Sequence, residues 1–576
     1  MRRWSEAYPE RFEHELSEFE RRGLSFALDE ERLARDGTVL LSGTITHAGR
    51  EVELQVGYPD SFPFMRPEVF APGLSLDRHQ NPVEGNLCLL ERSSRAWNVS
   101  DTAAWLVAER VGHLLDLLQA GGEELLAGES PQGEPASVYF IGEPGAIVFI
   151  PEEMLAIGPE HNVGLLQLAT GENEPPQKLL RACLAKVAVR GHGAKRQMLA
   201  SVSEPLSARF AGRTLEGRWV RLEKLPAGNK PRDLLAAIAA VEPGLAKPRW
   251  QPLASGGDIS VVGAVFGEEV RQGDWQDSWL FVVTLRDSQK GPEKIYIARG
   301  ERLTAADLNA RLPAVSTLAQ KTVGVVGLGS LGSPIATELL RAQVAELRVI
   351  DFDRVEVGNI VRWTHGLSAV GHLKSAVVAG SAGAEFPFTR VMAYNHRIGV
   401  VPPPGDPVAG VSESEGLEQF LDGLDLLIDA TGELGIQHLL FTLAHELELP
   451  QLYAWGTEGG WGGAVACVSP VIGGCWMCLQ MALDEGTIEL PPAAADAPVQ
   501  PRGCADPTFT AAGYSLTPIV AQAARAAARM CSGDGAGEVH VCALQNSSGE
   551  LPAPRWVTSP IGVHEHCPCE HHALAH

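Results

Sequence analysis

Three observations predict a multidomain chain with an α+β domain first, an α/β linker domain next and a Rossmann-like α/β domain last. The 576 residues are enough for about two to four separate cores. Residues 121–135, GGEELLAGESPQGEP, have the composition of a linker. The apolar run Val323–Val326, followed by Gly327, Gly329 and Gly332, reads as a buried strand turning into a helix whose N-terminus can hold phosphate.

In chain order, residues 1–125 read as a charged opening helix, strands at Thr38–Thr46 and Arg50–Val56, a proline-rich stretch, and an amphipathic helix from Asp101 to Ala120. Residues 136–304 are expected to alternate strands (Ala146–Phe149, Ser260–Val265, Trp279–Leu285) with helical stretches, one of them LLRACLAKV around Cys183. Cys183 reads as a small buried hydrophobe, and no motif in this region carries chemistry, so it is expected to be a spacer or docking domain. Residues 305–576 form the nucleotide-binding unit, interrupted by Val401–Val408 and by Glu485–Gly503, whose prolines and alanines predict an extended crossing segment. The alanine-rich stretch Leu516–Met530 reads as a packing helix.

A net charge of −24 with 45% hydrophobic residues argues against an electrostatic hold on nucleic acid or an anionic membrane and points to protein partners. The charged N-terminus is unlike a signal peptide and no apolar run approaches a membrane span, so a cytoplasmic location is expected. Ten cysteines, most in the last third, suit metal binding and thiol chemistry better than a disulfide framework.

The glycine turn with Leu347–Ile350 ending in Asp351, placed for a ribose hydroxyl, would by itself suggest an NAD oxidoreductase. Asp353, Asn359, Arg362 and Lys374 follow, and Leu424–Ile428 ends in Asp429 within DLLIDATGE. A nicotinamide site has no use for that cluster of cations. ATP with magnesium does, because acyl-adenylate formation must neutralise a triphosphate and stabilise displaced pyrophosphate. The glycine loop, D-x-D, G-N-x-x-R, the later Lys and D-x-T-G resemble the ThiF and MoeB group and the adenylation domains of ubiquitin-activating enzymes. The resemblance implies Asp351 for the ribose, Asn359, Arg362 and Lys374 for the phosphates, and Asp429 for magnesium.

Cys88 lies in a stretch too rich in proline for helix or central strand and too apolar for linker. An acyl-exchanging thiol needs exposure on a fixed loop and a donor for the tetrahedral oxyanion, which Asn81 would supply. His79, Asn81, Gly85, Cys88 and Trp97, with Pro67 and Ser100, resemble the ubiquitin-conjugating fold in order and in the Cys-to-Trp spacing. Two departures are a His79-Gln80-Asn81 triplet where that family has H-P-N, and a loop before Cys88 one residue shorter. Asn81 as catalytic helper and Asn81 as loop-holding amide both stay open, and His79 is expected to be structural.

Cys504, after the crossing segment and before a helix, resembles the transfer thiol of activating enzymes, on a strand mobile enough to reach the adenylate. Cys475 and Cys478 form a C-x-x-C knuckle that Cys567 and Cys569, or His564 or His566, would complete as a structural zinc site; a redox pair is the alternative. Cys467, Cys531 and Cys542 read as packing residues.

The chain resembles, at both ends but not in its middle, a bacterial fusion of a ubiquitin-conjugating domain, a linker domain and an adenylation domain, and in domain order the CD-NTase-associated transferases of CBASS antiphage operons. That resemblance implies ATP, Mg and Zn as cofactors, a thioester relay from Cys504 to Cys88, and a target amine. The acyl donor would be a cGAS-like nucleotidyltransferase or a ubiquitin-like protein, and any deconjugating protease would be a separate chain. It also implies a homodimer using an arginine in trans, with Arg302 and Arg311 as candidates. Other bacterial ubiquitin-like pathways, a sulfur-carrier adenylyltransferase, an NAD oxidoreductase and a non-catalytic adaptor are the rivals.

Overall fold

Helix Pro9–Arg21 begins on a proline, whose missing N–H leaves no donor unsatisfied in a first turn. A computed structural model of the chain describes residues 3–76, 78–90, 96–119, 133, 135–171, 179–190, 196–253, 256–271, 273–287, 291–312, 317–399, 413–494, 498–499, 508–546 and 549–569. Two compact units result, Met1–Thr304 and Ala305–His576. Most of the 121–135 linker, the Val401–Val408 interruption and Cys504 lie outside the described residues. Among the described residues, no helix is long and apolar enough to cross a membrane.

The first unit starts with an antiparallel meander of β1 (Phe26–Leu28), β2 (Leu40–His47), β3 (Arg50–Gly57) and β4 (Glu68–Phe70). Ala48 and Gly49 join β2 to β3 with positive φ at both positions, the geometry that matches the twist of a two-residue hairpin. Phe19, Leu41, Leu54, Val56, Phe62 and Trp97 fill the core between sheet and helices. Inside it the Glu15 carboxylate accepts from Tyr58 Oη (3.0 Å) and Ala103 N (2.9 Å) and pairs with Arg11 (2.8 Å). Burial pushes the Glu15 pKa up despite these partners. The contact to Ala103 fastens the closing helical run, Ala103–Gln119, whose first turn Thr102 caps through Trp105 N.

Next come β5 (Ile147–Ile150), β6 (Val163–Ala169), β7 (Arg181–Arg190), β8 (Arg196–Ser201), β9 (Thr214–Arg221), β10 (Gln251–Pro252), β11 (Asp258–Arg271), β12 (Asp274–Arg286) and β13 (Glu293–Arg302). β9 pairs with both β6 and β11, which closes the circuit β11-β12-β13-β5-β7-β6-β9 into a barrel, with β10 added to β11 and β8 to β7. Along β11, Ile259, Val261 and Val265 face a core with Trp219, Trp279 and Phe281, while Val262, Ala264 and Phe266 face helix Pro231–Val241 through Leu234 and Ile238. Strands buried on both faces lose the apolar/polar alternation by which strands are recognised. The α/β expectation is corrected accordingly: this is a β-barrel carrying one 11-residue helix. Cys183 is corrected too, lying not in a helix but in β7, fully buried. Burial lifts its thiol to about 12.

The second unit is an eight-stranded sheet: β14 (Thr322–Val326), β15 (Glu346–Ile350), β16 (Arg390–Tyr394), β17 (Leu426–Asp429), β18 (Gln451–Gly456), β19 (Gly462–Val468), then β22 (Glu538–Asn546) and β23 (Gly549–Pro560). The small strands β20 (Pro498–Val499) and β21 (Thr508–Phe509) pair separately. In the order β16-β15-β14-β17-β18-β19-β22-β23 the first five strands are parallel and the rest antiparallel. The chain runs outward from β14 through β15 to β16, then returns to the other side of β14 as β17. The carboxyl ends of β14, β15 and β17 therefore open on the crevice where such sheets bind ligands. Helix Gly513–Cys531 buries Leu516, Ile519, Ala523 and Ala527 against Val323, Leu347 and Val465 in one core.

Trp279 is 1% exposed, stacks on Phe281 and donates its indole N–H to the Met154 carbonyl at 3.1 Å. Trp279→Ala should cost about 3–5 kcal/mol in urea unfolding of the first unit. Met198→Ala, at a half-exposed position of β8, should stay within about 0.5 kcal/mol of the parent.

Candidate active site

Gly327 has φ +81°, and a Cβ on Gly332 would sit 1.7 Å from the Gly327 carbonyl oxygen, so the strand-to-helix turn closes only on glycine. A Cβ on Gly329 would meet nothing within 4 Å, which leaves that face of the loop open to a ligand. The peptides on either side of Leu328 are held by side chains. Its N–H donates to Asp351 Oδ2 at 2.6 Å, and its carbonyl accepts from Trp363 Nε1 at 2.6 Å. Ser333 and Thr364 hydroxyls meet at 2.8 Å, a second tie between the glycine-loop helix and the Arg362 segment.

The other Asp351 oxygen accepts from Asp353 N at 2.7 Å, and Asp353 Oδ2 pairs with Lys374 Nζ at 2.8 Å. Lys374 is only 9% exposed and opens helix Lys374–Glu385. Burial raises the Asp351 pKa, opposed by Lys374 and by the two N–H donors. Asn359 Oδ1 accepts from Glu356 N at 2.9 Å and so shapes the turn ahead of Arg362. Arg362 reaches Thr508 Oγ1 at 2.7 Å, and burial pulls its pKa down.

Asp429, at the end of β17, is 2% exposed. Its Oδ1 accepts from Thr431 N (2.9 Å) and Thr431 Oγ1 (2.7 Å), while Oδ2 is buried without a hydrogen-bond partner among the described residues. Desolvation pushes its pKa up to about 6. An anionic oxygen left unsatisfied beside a cleft fits a hard cation such as Mg²⁺. The cleft, about 1640 Å³, is lined by Gly329, Asp353, Asn359, Arg362, Lys374 and Thr431, and extends past Trp455 to Trp476 and Gln480. Gly327, Gly332, Asp351 and Asp429 do not line it; they hold residues that do. Trp363 escaped the sequence reading, because a tryptophan beside Arg362 carries no signature until the fold brings its partner close, and Thr431, part of the D-x-T-G motif, has no role of its own in that reading.

At and near the start of helix Trp476–Asp484, the Cys475 sulfur lies 3.8 Å from that of Cys478 and 3.6 Å from that of Cys567. All three sulfurs lie within 4.8 Å of one another. Cys569 interacts with Cys475 and Cys567, and burial raises both Cys475 and Cys569. His564 turns its ring to Glu485 (3.1 Å) and gives its backbone N–H to Cys478 (3.3 Å), while His566 is exposed. Clustered sulfur donors fit a soft or borderline cation, zinc above all. Cys467 and Cys542 are fully buried and Cys531 packs against the same core, with thiols raised by burial to about 12, 11 and 11 respectively.

In the first unit, Cys88 ends a short hairpin. Its N–H donates to His79 O at 2.7 Å, Asn81 N donates to Asn86 O at 2.9 Å, and Gln80 bridges Leu87. His79 takes φ +60° to make the bend. Asn81 Oδ1 accepts from Val83 N (2.9 Å) and Glu84 N (3.0 Å), so its carboxamide oxygen is committed to the turn. Asn81, Cys88, Trp97 and Tyr139 nevertheless share one cleft of about 580 Å³, and Trp97 is anchored there by its N–H to Pro63 O at 2.9 Å. Ser100 bonds Asn98 Oδ1 (2.9 Å), and Arg302 bonds Gln276 Oε1 (2.6 Å) within the barrel, whereas Arg311 is exposed in the second unit.

Gly332→Ala should abolish nucleotide binding measured by calorimetry, and Gly329→Ala should retain the fold. Folding raises the Asp429 pKa from an ordinary 3.8 to about 6, so the ionised form is the one the fold disfavours. The penalty is absent below about pH 4, develops as pH rises to about 6 and is full above, roughly 3 kcal/mol. Asp429→Asn should therefore raise Tm in metal-free buffer at pH 8, with the gain fading towards pH 4. A gain that is the same at both pH values would show that desolvation of this carboxylate is not its source.

Residues 305–539 match the ThiF family. Over 98% of this chain and 97% of the relative, the sequence is 30% identical to the uncharacterized protein y4oA of Sinorhizobium fredii. A stretch of 177 residues, 30% of this chain and 28% of the relative, is 27% identical to the ATP-dependent ubiquitin transferase-like protein Cap2 of Enterobacter hormaechei. A stretch of 168 residues, 28% of this chain and 56% of the relative, is 30% identical to the sulfur carrier protein adenylyltransferase of Thermus thermophilus. The chain therefore belongs to the same family as y4oA, and its C-terminal unit contains a ThiF family domain.

Proposed function

We propose that this protein is an ATP-dependent, ubiquitin-transferase-like enzyme in which residues 305–576 adenylate the C-terminus of a protein and residues 1–125, a ubiquitin-conjugating-like domain, pass the acyl group on. The observation that carries the reading is the linked set Leu328–Asp351–Asp353–Lys374 at the carboxyl ends of β14 and β15, with Arg362 and Asn359 in the same cleft. Gly329 leaves room for phosphates on the turn that Gly327 and Gly332 close, Asp351 would serve the ribose, Arg362 and Lys374 would neutralise the triphosphate, and Asn359 would hydrogen-bond it. Asp429 would hold Mg²⁺, which supplies charge neutralisation at the phosphates. Cys475, Cys478, Cys567 and Cys569 would hold a structural zinc.

In the first step a carboxylate oxygen of the donor attacks the α-phosphorus of ATP and pyrophosphate leaves with the P–O bond electrons. The Cys504 thiolate then displaces AMP from the acyl carbon, and the Cys88 thiolate displaces that of Cys504. Finally an amine attacks the Cys88 thioester and releases the thiolate. Asn81 would stabilise the oxyanion on Cys88 through its Nδ2, which donates to Glu84 Oε2 at 3.3 Å, while its Oδ1 holds the turn. The likeness to a ubiquitin transferase-like protein supports a protein as donor, and the domain order, which resembles the CD-NTase-associated transferases, favours a cGAS-like nucleotidyltransferase in antiphage defence, with a homodimer as the working form and the exposed Arg311 as the candidate for a finger in trans. The second reading, a sulfur-carrier adenylyltransferase, is favoured by the Thermus relative. It gives the cleft at Cys88 no use.

Intact-mass spectrometry tests this with Cys88→Ala and Cys504→Ala proteins, ATP, Mg²⁺ and each candidate donor, with and without reductant. A reductant-sensitive adduct should remain on Cys504 in the Cys88 variant and vanish in the Cys504 variant. AMP formation without any adduct would instead favour the sulfur-carrier reading.

A further inference from the structure

We propose that the middle barrel is a working part of the thiol site: Glu269 positions the hairpin that carries Cys88, acting through Arg78, and the barrel holds Tyr139 as one wall of the Cys88 cleft. This deepens, and rests on, the reading of Cys88 as an acyl acceptor. Arg78 directly precedes His79, whose carbonyl takes the Cys88 N–H, and its guanidinium pairs with Glu269 on β11. Glu269 is 5% exposed and is fixed from a second side by Gly273 N at 2.7 Å. A carboxylate so buried depends on its cation, since leaving it unpaired is strongly unfavourable. The hairpin base is thereby tied to the barrel rather than to its own sheet alone.

The neighbouring barrel residue does the same for the cleft wall. Glu268, 7% exposed, accepts from Ser137 N (3.0 Å) and Ser137 Oγ (2.9 Å). Asn229 Nδ2 donates to the Tyr139 carbonyl at 3.2 Å. Residues 137–139 are pinned on both sides, and Tyr139 lines the cleft shared by Cys88, Asn81 and Trp97. Two consecutive buried glutamates thus serve two segments of one thiol site. A spacer has no need of a buried carboxylate committed to its neighbour, as Glu269 is to Arg78, whereas an acyl-transfer site gains from a thiol loop held in one geometry. Glu269 and Arg78 are positioning residues, because neither lines the cleft.

The test uses the full chain and needs no donor. Cys88 alkylation by iodoacetamide is followed by peptide mass spectrometry, and exchange of the Cys88 amide hydrogen alongside it. Arg78→Gln and Glu269→Gln should each raise both rates about 5-fold or more, Arg78→Lys should stay within about 2-fold of the parent, and exchange in β12 should not move. Tyr139→Ala should raise alkylation by N-phenylmaleimide relative to iodoacetamide about 3-fold or more, by widening the cleft. Parent-like alkylation and exchange in both glutamine variants, or an unchanged reagent ratio in the tyrosine variant, would overturn the proposal. Full conjugation by Cys88→Ala would instead overturn the acyl-acceptor reading, and is told apart because the alkylation rates would still respond.

Discussion

The Asp351 carboxylate is the contact on which the nucleotide cleft depends. One oxygen takes the Leu328 N–H of the glycine loop and the other the Asp353 N–H, so a single side chain at the end of β15 fixes the turn after β14 and the start of the next loop. Asp353 then holds Lys374, which opens a helix on the same side of the sheet. Because β14 and β15 are parallel and in register, from Thr322↔Glu346 to Val326↔Ile350, their ends arrive together and the hydrogen bonds cost little extra ordering. Trp363 closes the circuit from the Arg362 side by binding the Leu328 carbonyl. On the proposed reading, the backbone that would bind phosphate and the cationic side chains are thus set before a ligand arrives, the condition under which electrostatic stabilisation costs least reorganisation.

How far the chain could be read in advance follows from which constraints are local. The turn after β14 is legible because Gly332 admits no Cβ and Gly327 takes a positive φ, both of which demand a residue type at a fixed offset. The turn after β14 has such markers in the ThiF-type unit. The barrel has few. β7 and β11 are buried on both faces, so alanine, leucine and valine run together without period, and the Leu/Ala-rich segment around Cys183 imitates a helix. Tertiary pairing with β5, β6 and β8 overrides that propensity. Asn81 shows a different limit: its residue type suits either a donor to an oxyanion or a turn, and only the Val83 and Glu84 N–H groups reveal the second. Thr431, Trp363, Tyr139 and Glu269 acquire meaning through partners that are distant in sequence or that only the local bend brings round.

On the proposed reading of Cys88, the barrel of the first unit, a region without motifs, contributes to chemistry through rigidity. It closes on itself through β9 and β11, which removes the free edges of an open sheet and leaves a rigid wall. Arg221 and Asp277 lock that wall internally, with Asp277 also capping Ile157 N at 2.8 Å. Rigid elements carry a site more accurately than loops do, and the Cys88 hairpin, a loop by sequence, borrows rigidity through Arg78.

Burial acts on both signs of charge in the cleft, and in opposite directions that reinforce one another. Desolvation pulls the Arg362 guanidinium down and pushes Asp429 up, so each ionised group is held at a free-energy cost that an opposite charge would relieve. For Asp429 the relief suits a cation, since Thr431 already occupies Oδ1 and Oδ2 has no partner among the described residues. For Arg362, which also bonds the Thr508 hydroxyl, it suits an anion, since a negative charge in the cleft favours the ionised form that burial disfavours. A ligand carrying phosphates and a divalent cation together satisfies both at once. A dinucleotide without a metal would answer Arg362 and leave Asp429 as it is. The paired strain on one cation and one carboxylate is therefore a stronger argument for a metal–triphosphate than the glycine loop, which serves either ligand equally well.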